Sequence, residues 1–317
     1  MRILAIRLGA MGDVIQCLPA VASLKHGISR SHVTWAIETR WAPLLEQNPY
    51  VDRVVLLDRT SVSGLLRSWR DLRAQRYDIA VDFQGLMKSA LVAAASRAER
   101  LFGYTRSVVR EKIAAWFYSV TVDSSAVHRV DRYLDLAAAA GASRLLRCFP
   151  IPAGKPEGSL PPGPFVLASP GAGWAAKQWP LEYYSELGRR LAVECGCTLV
   201  LNGRAPSDVP HTHAHLCGLP GLIDATRRAA AIVGLDSGPM HLAAALGKSG
   251  VAIFGPTDPA QNGPYGGNIT VLRSPHAVTT YKRNATDTPM REVHPDAVFQ
   301  ALQPALAEAG LPASPSR

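Results

Sequence analysis

The apolar positions of this chain fall into two successive runs of the same rhythm. In the first run, short apolar stretches at residues 2–8, 32–37, 54–57 and 79–82 read as strands, with helical patterns between them. Residues 14–24, 86–96, 111–118 and 129–140 carry apolar residues at helical spacing. Residues 150–164 interrupt the rhythm with a dense set of Pro and Gly, as a linker does. The second run restarts at 165–169 and adds strands at 198–201, 230–235 and 251–254. Its helices fall at 182–194, 240–246 and finally 295–309. Strands alternating with helices form parallel sheets, and such sheets bind ligands at the carboxyl ends of their strands. The pattern predicts an α/β protein of two Rossmann-like domains, 1–155 and 156–317, facing across a cleft. The last helix is expected to pack back on the N-terminal domain.

Length agrees with this division, because 317 residues make two domains of about 150. Hydrophobic residues make up 47% of the chain, ample for two cores. Charge breaks the apolar stretches well before the ~18 residues of a membrane span. The apolar part of the first seven residues is too short for a secretion signal. A cytoplasmic protein is expected. Cys17, Cys148, Cys195, Cys197 and Cys217 show neither a disulfide framework nor a C-x-x-C pair. Cys195 and Cys197, at the end of an amphipathic helix, read as buried thiols. His211-Thr-His-Ala-His215 lacks a nearby carboxylate or cysteine to complete a metal site and reads as a solvated loop.

Charge divides the two halves. Residues 1–160 hold 22 Lys and Arg against 14 Asp and Glu, whereas 161–317 hold 12 against 11. The surplus is mostly arginine, which suits bidentate contact with carboxylates and phosphates. An anionic partner for the N-terminal half follows. Nucleic acid is not that partner: there is no RNA-binding signature, aromatic–basic ladder or zinc-finger spacing.

Three loops carry candidate chemistry. The first is Gly9-Ala-Met-Gly-Asp13, between a strand and a helix. It is neither G-x-G-x-x-G nor a Walker-type loop. Asp13 would repel a phosphate placed there, so it reads as a base or hydroxyl acceptor, or as a helix cap. The second is Pro170-Gly-Ala-Gly-Trp-Ala-Ala-Lys-Gln-Trp-Pro180, where Lys177 puts a cation over the strand ends. The third is Asp236-Ser-Gly-Pro-Met-His241 after a buried strand. Asp236 and Ser237 are N-cap residue types, Gly238 permits unusual dihedrals and Pro239 suits a first helical turn. The free N–H groups and positive dipole end of that helix suit a phosphate, and His241 adds a further donor.

Together with Asp82-Phe-Gln-Gly-Leu-Met-Lys-Ser-Ala90 and Phe254-Gly-Pro-Thr-Asp-Pro259, these motifs resemble the heptosyltransferases of glycosyltransferase family 9. The resemblance runs from residue 1 to about 300 in the right order. The Asp-x-Gln-Gly-Leu-x-Lys-Ser segment is most similar to the type I members. The resemblance implies two Rossmann domains of the GT-B type, an N-terminal one for acceptor and a C-terminal one for ADP-heptose. It implies an inverting transfer of heptose to the Kdo of Kdo-lipid A, with no cofactor and no essential metal. Asp13 would be the general base and Lys177 the cation that meets the departing diphosphate. Gly171, Ala172, Gly173, Asp236, Ser237, Gly238 and His241 would complete the donor site. Gly12, Lys88 and Arg110 would bind acceptor, with Arg59, Arg67, Arg106 and Arg129 as further candidates. It further implies a salt-sensitive, peripheral contact with the anionic inner face of the cytoplasmic membrane. One departure stands out: type I members carry hydroxyl residues before the lysine, and residues 171–176 here have none. Three alternatives stay open: a later-acting heptosyltransferase, another nucleotide-sugar enzyme of this fold, and a non-catalytic protein that binds nucleotide or anionic glycolipid.

Overall fold

The structure, a computed structural model, describes residues 1–203, 209–280 and 287–312. The chain divides into two compact units, Met1–Pro152 and Ala153–Arg317. The first unit runs β1 (Arg2–Ile6), α1 (Met11–Gly27), β2 (His32–Glu38), β3 (Arg53–Leu57), α2 (Val62–Leu72), β4 (Ile79–Asp82), α3 (Met87–Ala95), β5 (Arg100–Tyr104), β6 (Val120–Val122) and α4 (Arg129–Ala139). Two 3-10 turns, Thr39–Leu45 and Lys112–Phe117, fill the remaining connections. The second unit runs β7 (Phe165–Ala168), α5 (Leu181–Cys195), β8 (Thr198–Asn202), β9 (Thr212–His215), α6 (Leu219–Arg228), β10 (Ala231–Leu235), α7 (Gly238–Ala245), β11 (Gly250–Phe254), α8 (Pro259–Asn262), β12 (Ile269–Arg273), α9 (Thr288–Arg291) and α10 (Pro295–Glu308).

Each unit holds one six-stranded parallel sheet. The orders are β3-β2-β1-β4-β5-β6 and β12-β11-β10-β7-β8-β9. Renumbered within its own unit, the second order is the first read backwards, so both are doubly wound sheets of the order 3-2-1-4-5-6. Such sheets are covered on both faces, and their central strands read as unbroken apolar runs. Ile3 to Ile6 and Val251 to Phe254 are fully buried for this reason. The direction of winding reverses between β1 and β4 in one unit and between β7 and β10 in the other. Ligands bind at that reversal, outside the carboxyl ends of the strands.

Several elements differ from the sequence expectation. Within 111–118, expected as a helix, Lys112–Phe117 form a 3-10 turn. Residues 212–215 form the edge strand β9, not a solvated loop. His215 is buried there, bonded to Asn202 and to the Glu157 carbonyl, which gives its ring partners inside the protein. The outer strands β5, β6 and β12 are short and only partly apolar, which hid them from a search for buried runs. The final helix spends its apolar face within the second unit. Val298, Phe299, Leu302 and Leu306 join the core beneath α5 and β11. Cys195 and Cys197 are buried thiols, as the pattern implied. No helix among the described residues is long and apolar enough to cross a membrane.

Candidate functional site

The first unit gathers its charged groups at the reversal between β1 and β4. Asp13 lies in the first turn of α1 and accepts the Ala10 N–H at 3.4 Å. It also forms ion pairs with Arg7, just beyond β1, and Arg129, the first residue of α4. Packing of α1 on α4 brings Arg129 there. Arg7 is buried, donates to the Phe83 carbonyl at 3.1 Å and lies 5.6 Å from the Tyr133 ring centre. Burial pulls the Arg7 guanidinium down, but Asp13 together with Tyr133 and Cys17 pulls the other way, and the group ends above its ordinary value. Gly12 is buried beside Asp13 in the same turn. Opposite charge this close favours the ionised carboxylate, which is the form that can take a proton.

The Asp82–Ser89 segment is a built loop. Asp82 is fully buried and accepts the Gln84 and Gly85 N–H groups, the Ser89 hydroxyl at 2.8 Å and the Tyr118 hydroxyl at 2.7 Å. Burial pushes its carboxyl up, while these four donors act the other way. Gln84 accepts the Leu8 N–H at 2.9 Å and so ties this loop to the end of β1. Gly85 takes a positive φ of 65°, which a side chain would strain. The loop delivers Lys88 at the start of α3, where its Nζ lies 3.3 Å from Glu38. Glu38, at the end of β2, also meets Arg40 at 2.8 Å and Arg59 at 3.8 Å. Burial would raise the Glu38 carboxyl, but Arg40 and Lys88 hold it below its ordinary value. Arg110 is exposed, in a turn whose next residue, Glu111, donates its N–H to the Gly85 carbonyl at 3.0 Å. The structure therefore brings the Lys88 and Arg110 segments together and places Gly12 and Asp13 at the end of the adjacent strand.

The second unit builds its cluster at the reversal between β7 and β10. The loop after β7 carries Gly171, Ala172 and Gly173. Packing of the described residues demands neither glycine, since a Cβ on either would meet none of them within 4 Å. The loop ends in a 3-10 turn, Ala175–Lys177, that is anchored by its neighbours. Trp179 is buried, donates to the Val293 carbonyl at 2.7 Å and stacks edge-on against Tyr184, while Pro180 opens α5. Lys177 Nζ reaches Asp236 at 2.5 Å and sits 4.5 Å from the Trp174 ring centre. Asp236 follows β10. Ser237 is the N-cap of α7 by backbone conformation, but its side chain caps nothing. Its Oγ is sealed from solvent without a hydrogen-bond partner among the described residues, as is Thr257 Oγ1. Gly238 has helical φ and needs no special freedom, contrary to expectation. His241 is buried in the first turn of α7. The cluster thus sets one cation, one carboxylate and the free N–H end of a helix at one strand end.

Two residues escaped the sequence reading. Arg7 sits in an apolar run, where a charge is almost never buried without a partner, and that was its available signal. Glu38 ends a buried strand, but nothing in the sequence told it from an ordinary surface carboxylate. Arg129, a candidate for the acceptor face, is paired with Asp13. Among the described residues there is no group of three or more His, Cys, Asp and Glu suited to a metal.

Two doubly wound units, each with its charged cluster at the winding reversal, define a glycosyltransferase architecture of the GT-B type. Residues 65–291 match the model of glycosyltransferase family 9 (heptosyltransferase), and the chain belongs to that family. It is 29% identical over 297 residues to lipopolysaccharide heptosyltransferase 1 of Pseudomonas aeruginosa, covering 84% of this chain and 82% of the relative. It is 28% identical to lipopolysaccharide heptosyltransferase 2 of Salmonella typhimurium, covering 98% of this chain and all of the relative. Its fold is similar to that of the E. coli heptosyltransferase WaaC solved with ADP, at a TM-score of 0.78 and 24% identity. That match covers 96% of this chain and 100% of the other.

Proposed function

We propose that this glycosyltransferase moves heptose from ADP-heptose to the Kdo of Kdo-lipid A, with inversion, in building the lipopolysaccharide inner core. The observation that carries the donor half is the Lys177–Asp236 pair at the start of α7, beside a loop whose glycines packing does not require. Lys177 exchanges the Asp236 carboxylate for the diphosphate oxygens. The N–H groups of Gly171, Ala172 and Gly173 and the start of α7 at Ser237, Gly238 and His241 share that charge. The sealed Ser237 hydroxyl gains a partner there, as buried polar groups ordinarily have. Asp236, once released, accepts hydrogen bonds from heptose hydroxyls. Gly12, Lys88 and Arg110 engage the carboxylate and phosphate groups of the acceptor.

The chemistry follows from these roles. Asp13 takes the proton of the acceptor hydroxyl as its oxygen bonds to the anomeric carbon. The bond from that carbon to the diphosphate oxygen breaks, and ADP leaves with both electrons. Stabilisation aimed at the growing diphosphate charge is commonly the largest catalytic contribution. No cofactor takes part and no metal is required. The enzyme works at the cytoplasmic face of the inner membrane, in contact with its anionic surface.

A second reading, transfer of a later heptose, is favoured by one observation: residues 171–176 hold no hydroxyl side chain. A mass-spectrometric assay with ADP-heptose and Kdo-lipid A separates the two. A gain of one heptose is expected. No gain, with ADP-heptose bound, moves the acceptor to a later core position, and no gain without binding overturns the reading.

A further inference from the structure

Helix α2 is built with its apolar side outward. Val62, Leu65, Leu66 and Trp69 fall at helical spacing on one stripe, and they are 75%, 50%, 66% and 46% exposed. The residues buried against the sheet are Gly64, Ser68 and Leu72. This register is locked by specific bonds. Ser61 caps the helix by accepting the Gly64 N–H at 3.0 Å. Ser68 Oγ accepts the Asp58 N–H at 2.9 Å and reaches the Leu56 carbonyl at 3.0 Å. Arg53 donates to the Asp71 carbonyl at 2.8 Å, and Gly64 lies so close to Asp58 that a Cβ would collide with it. Turning the leucines inward would break all of these.

The stripe is part of a wider face. Right-handed crossovers put α2 and α3 on the same side of the first sheet. Arg73, just past α2, donates to the Ala95 carbonyl at the end of α3 at 3.1 Å. The turn Lys112–Phe117 packs on α3. Leu91 of α3 and Ile113 and Trp116 of the turn are also exposed. Arginines frame the apolar groups. Residues 58–73 hold four, Arg59, Arg67, Arg70 and Arg73, against two carboxylates, Asp58 and Asp71. The Arg73 guanidinium lies 3.9 Å from the Trp69 ring centre, and Arg106 lies 5.7 Å from that of Trp116.

We propose that this face docks on an anionic bilayer, with the stripe of α2 inserted at the headgroup–acyl boundary and the arginines on lipid phosphates. The proposal deepens the membrane-contact part of the function above by assigning the surface and adding an apolar share. The charge pattern selects the occupant. A second copy joined by a two-fold axis would set arginine against arginine. An anionic bilayer supplies negative charge at the rim and apolar surface beneath the stripe. Salt therefore screens the arginine share and leaves the apolar share.

The test is sedimentation with vesicles of phosphatidylcholine alone or mixed with phosphatidylglycerol, without nucleotide or acceptor, so that it reports docking whether or not the transfer reading holds. Wild type is expected to bind the anionic vesicles and to be only partly released by salt. The double variant Leu65→Ser, Leu66→Ser should lose about tenfold or more in partitioning. Val193→Ser, which removes a still more exposed apolar side chain from α5, should lose nothing. The double variant should keep its thermal midpoint and its turnover on a water-soluble, deacylated acceptor. If it fails to fold, quenching by brominated lipid decides the matter, since wild type should lose more fluorescence than Trp69→Phe. Unchanged partitioning of a folded double variant, absence of binding by wild type, equal quenching, or a concentration-dependent dimer without vesicle binding would each overturn the proposal.

Discussion

The two winding reversals share one topology and differ in charge. In the first unit a single carboxylate, Asp13, meets two guanidiniums, and the surrounding half of the chain carries a positive surplus. In the second, Lys177 and Asp236 are matched one to one, beside a helix N-terminus and a loop with open space over its glycines. A carboxylate paired with two guanidiniums, in a half of the chain with surplus cations, suits a site next to an anionic substrate. A matched pair at a helix start suits the exchange of one anion for another. The fold fixes where a ligand sits, and the side chains placed there decide what chemistry each strand end can do.

The sharpest way to break this contrast is Asp13→Asn, which keeps the shape and removes the charge. Turnover should fall about 10²–10⁴-fold, the usual contribution of a positioned general base, while ADP-heptose affinity measured by calorimetry stays the same. Arg7 would lose its carboxylate partner while buried. Because Asp13 and Arg129 are partly exposed, the stability loss should fall short of the ~3–5 kcal/mol of a fully buried broken pair. Full turnover in this variant would end the assignment of Asp13 as base.

The reciprocal change is Lys177→Met. Hydrogen bonds to charged groups contribute about 1.5–3 kcal/mol, so ADP affinity should drop roughly 10–100-fold. The fold should tolerate the change, since Asp236 remains just before α7, where the helix dipole favours an anion. Titration calorimetry reads the first effect and a thermal melt the second. Unchanged affinity would remove Lys177 from the donor site and leave the second unit without its distinguishing cation.

How far each cluster could be read in the sequence follows from the distance between its members. Asp13 and Lys177 stand in short strand–loop–helix motifs, where local chemistry is visible. Lys177 and Asp236 lie 59 positions apart yet were both legible, because each follows its own strand at a carboxyl end. Arg129 was not legible as a partner of Asp13, because α1-on-α4 packing is what joins them. The parallel central strands were legible as apolar runs, whereas the edge strands β6, β9 and β12, half exposed and short, carry no such run. Asp82 was legible as part of a motif but not in its role. Only the structure shows that its carboxylate is spent inside the loop on Gln84, Gly85, Ser89 and Tyr118.

The smallest expected effect concerns the outer part of the first cluster. Arg40 and Lys88 hold the Glu38 carboxyl below its ordinary 4.5, so the folded state binds this proton less readily than the unfolded chain. The resulting stability is fully present above that value and is lost as pH falls through the lower folded value. Glu38→Gln removes this contribution and leaves Arg40, Arg59 and Lys88 facing one another. The variant should be less stable at neutral pH by about 1 kcal/mol or less, since its partners are largely exposed. The gap should close as pH drops below 4.5. Asp82, whose carboxyl is pushed up by burial, contributes in the opposite sense, but it is present in both proteins and cancels in the difference. Thermal midpoints of the two proteins across this range make the measurement. A gap that stays constant with pH would mean that the cations around Glu38 do not act on its carboxylate, and that the charge surplus of the first unit is not organised around its strand ends.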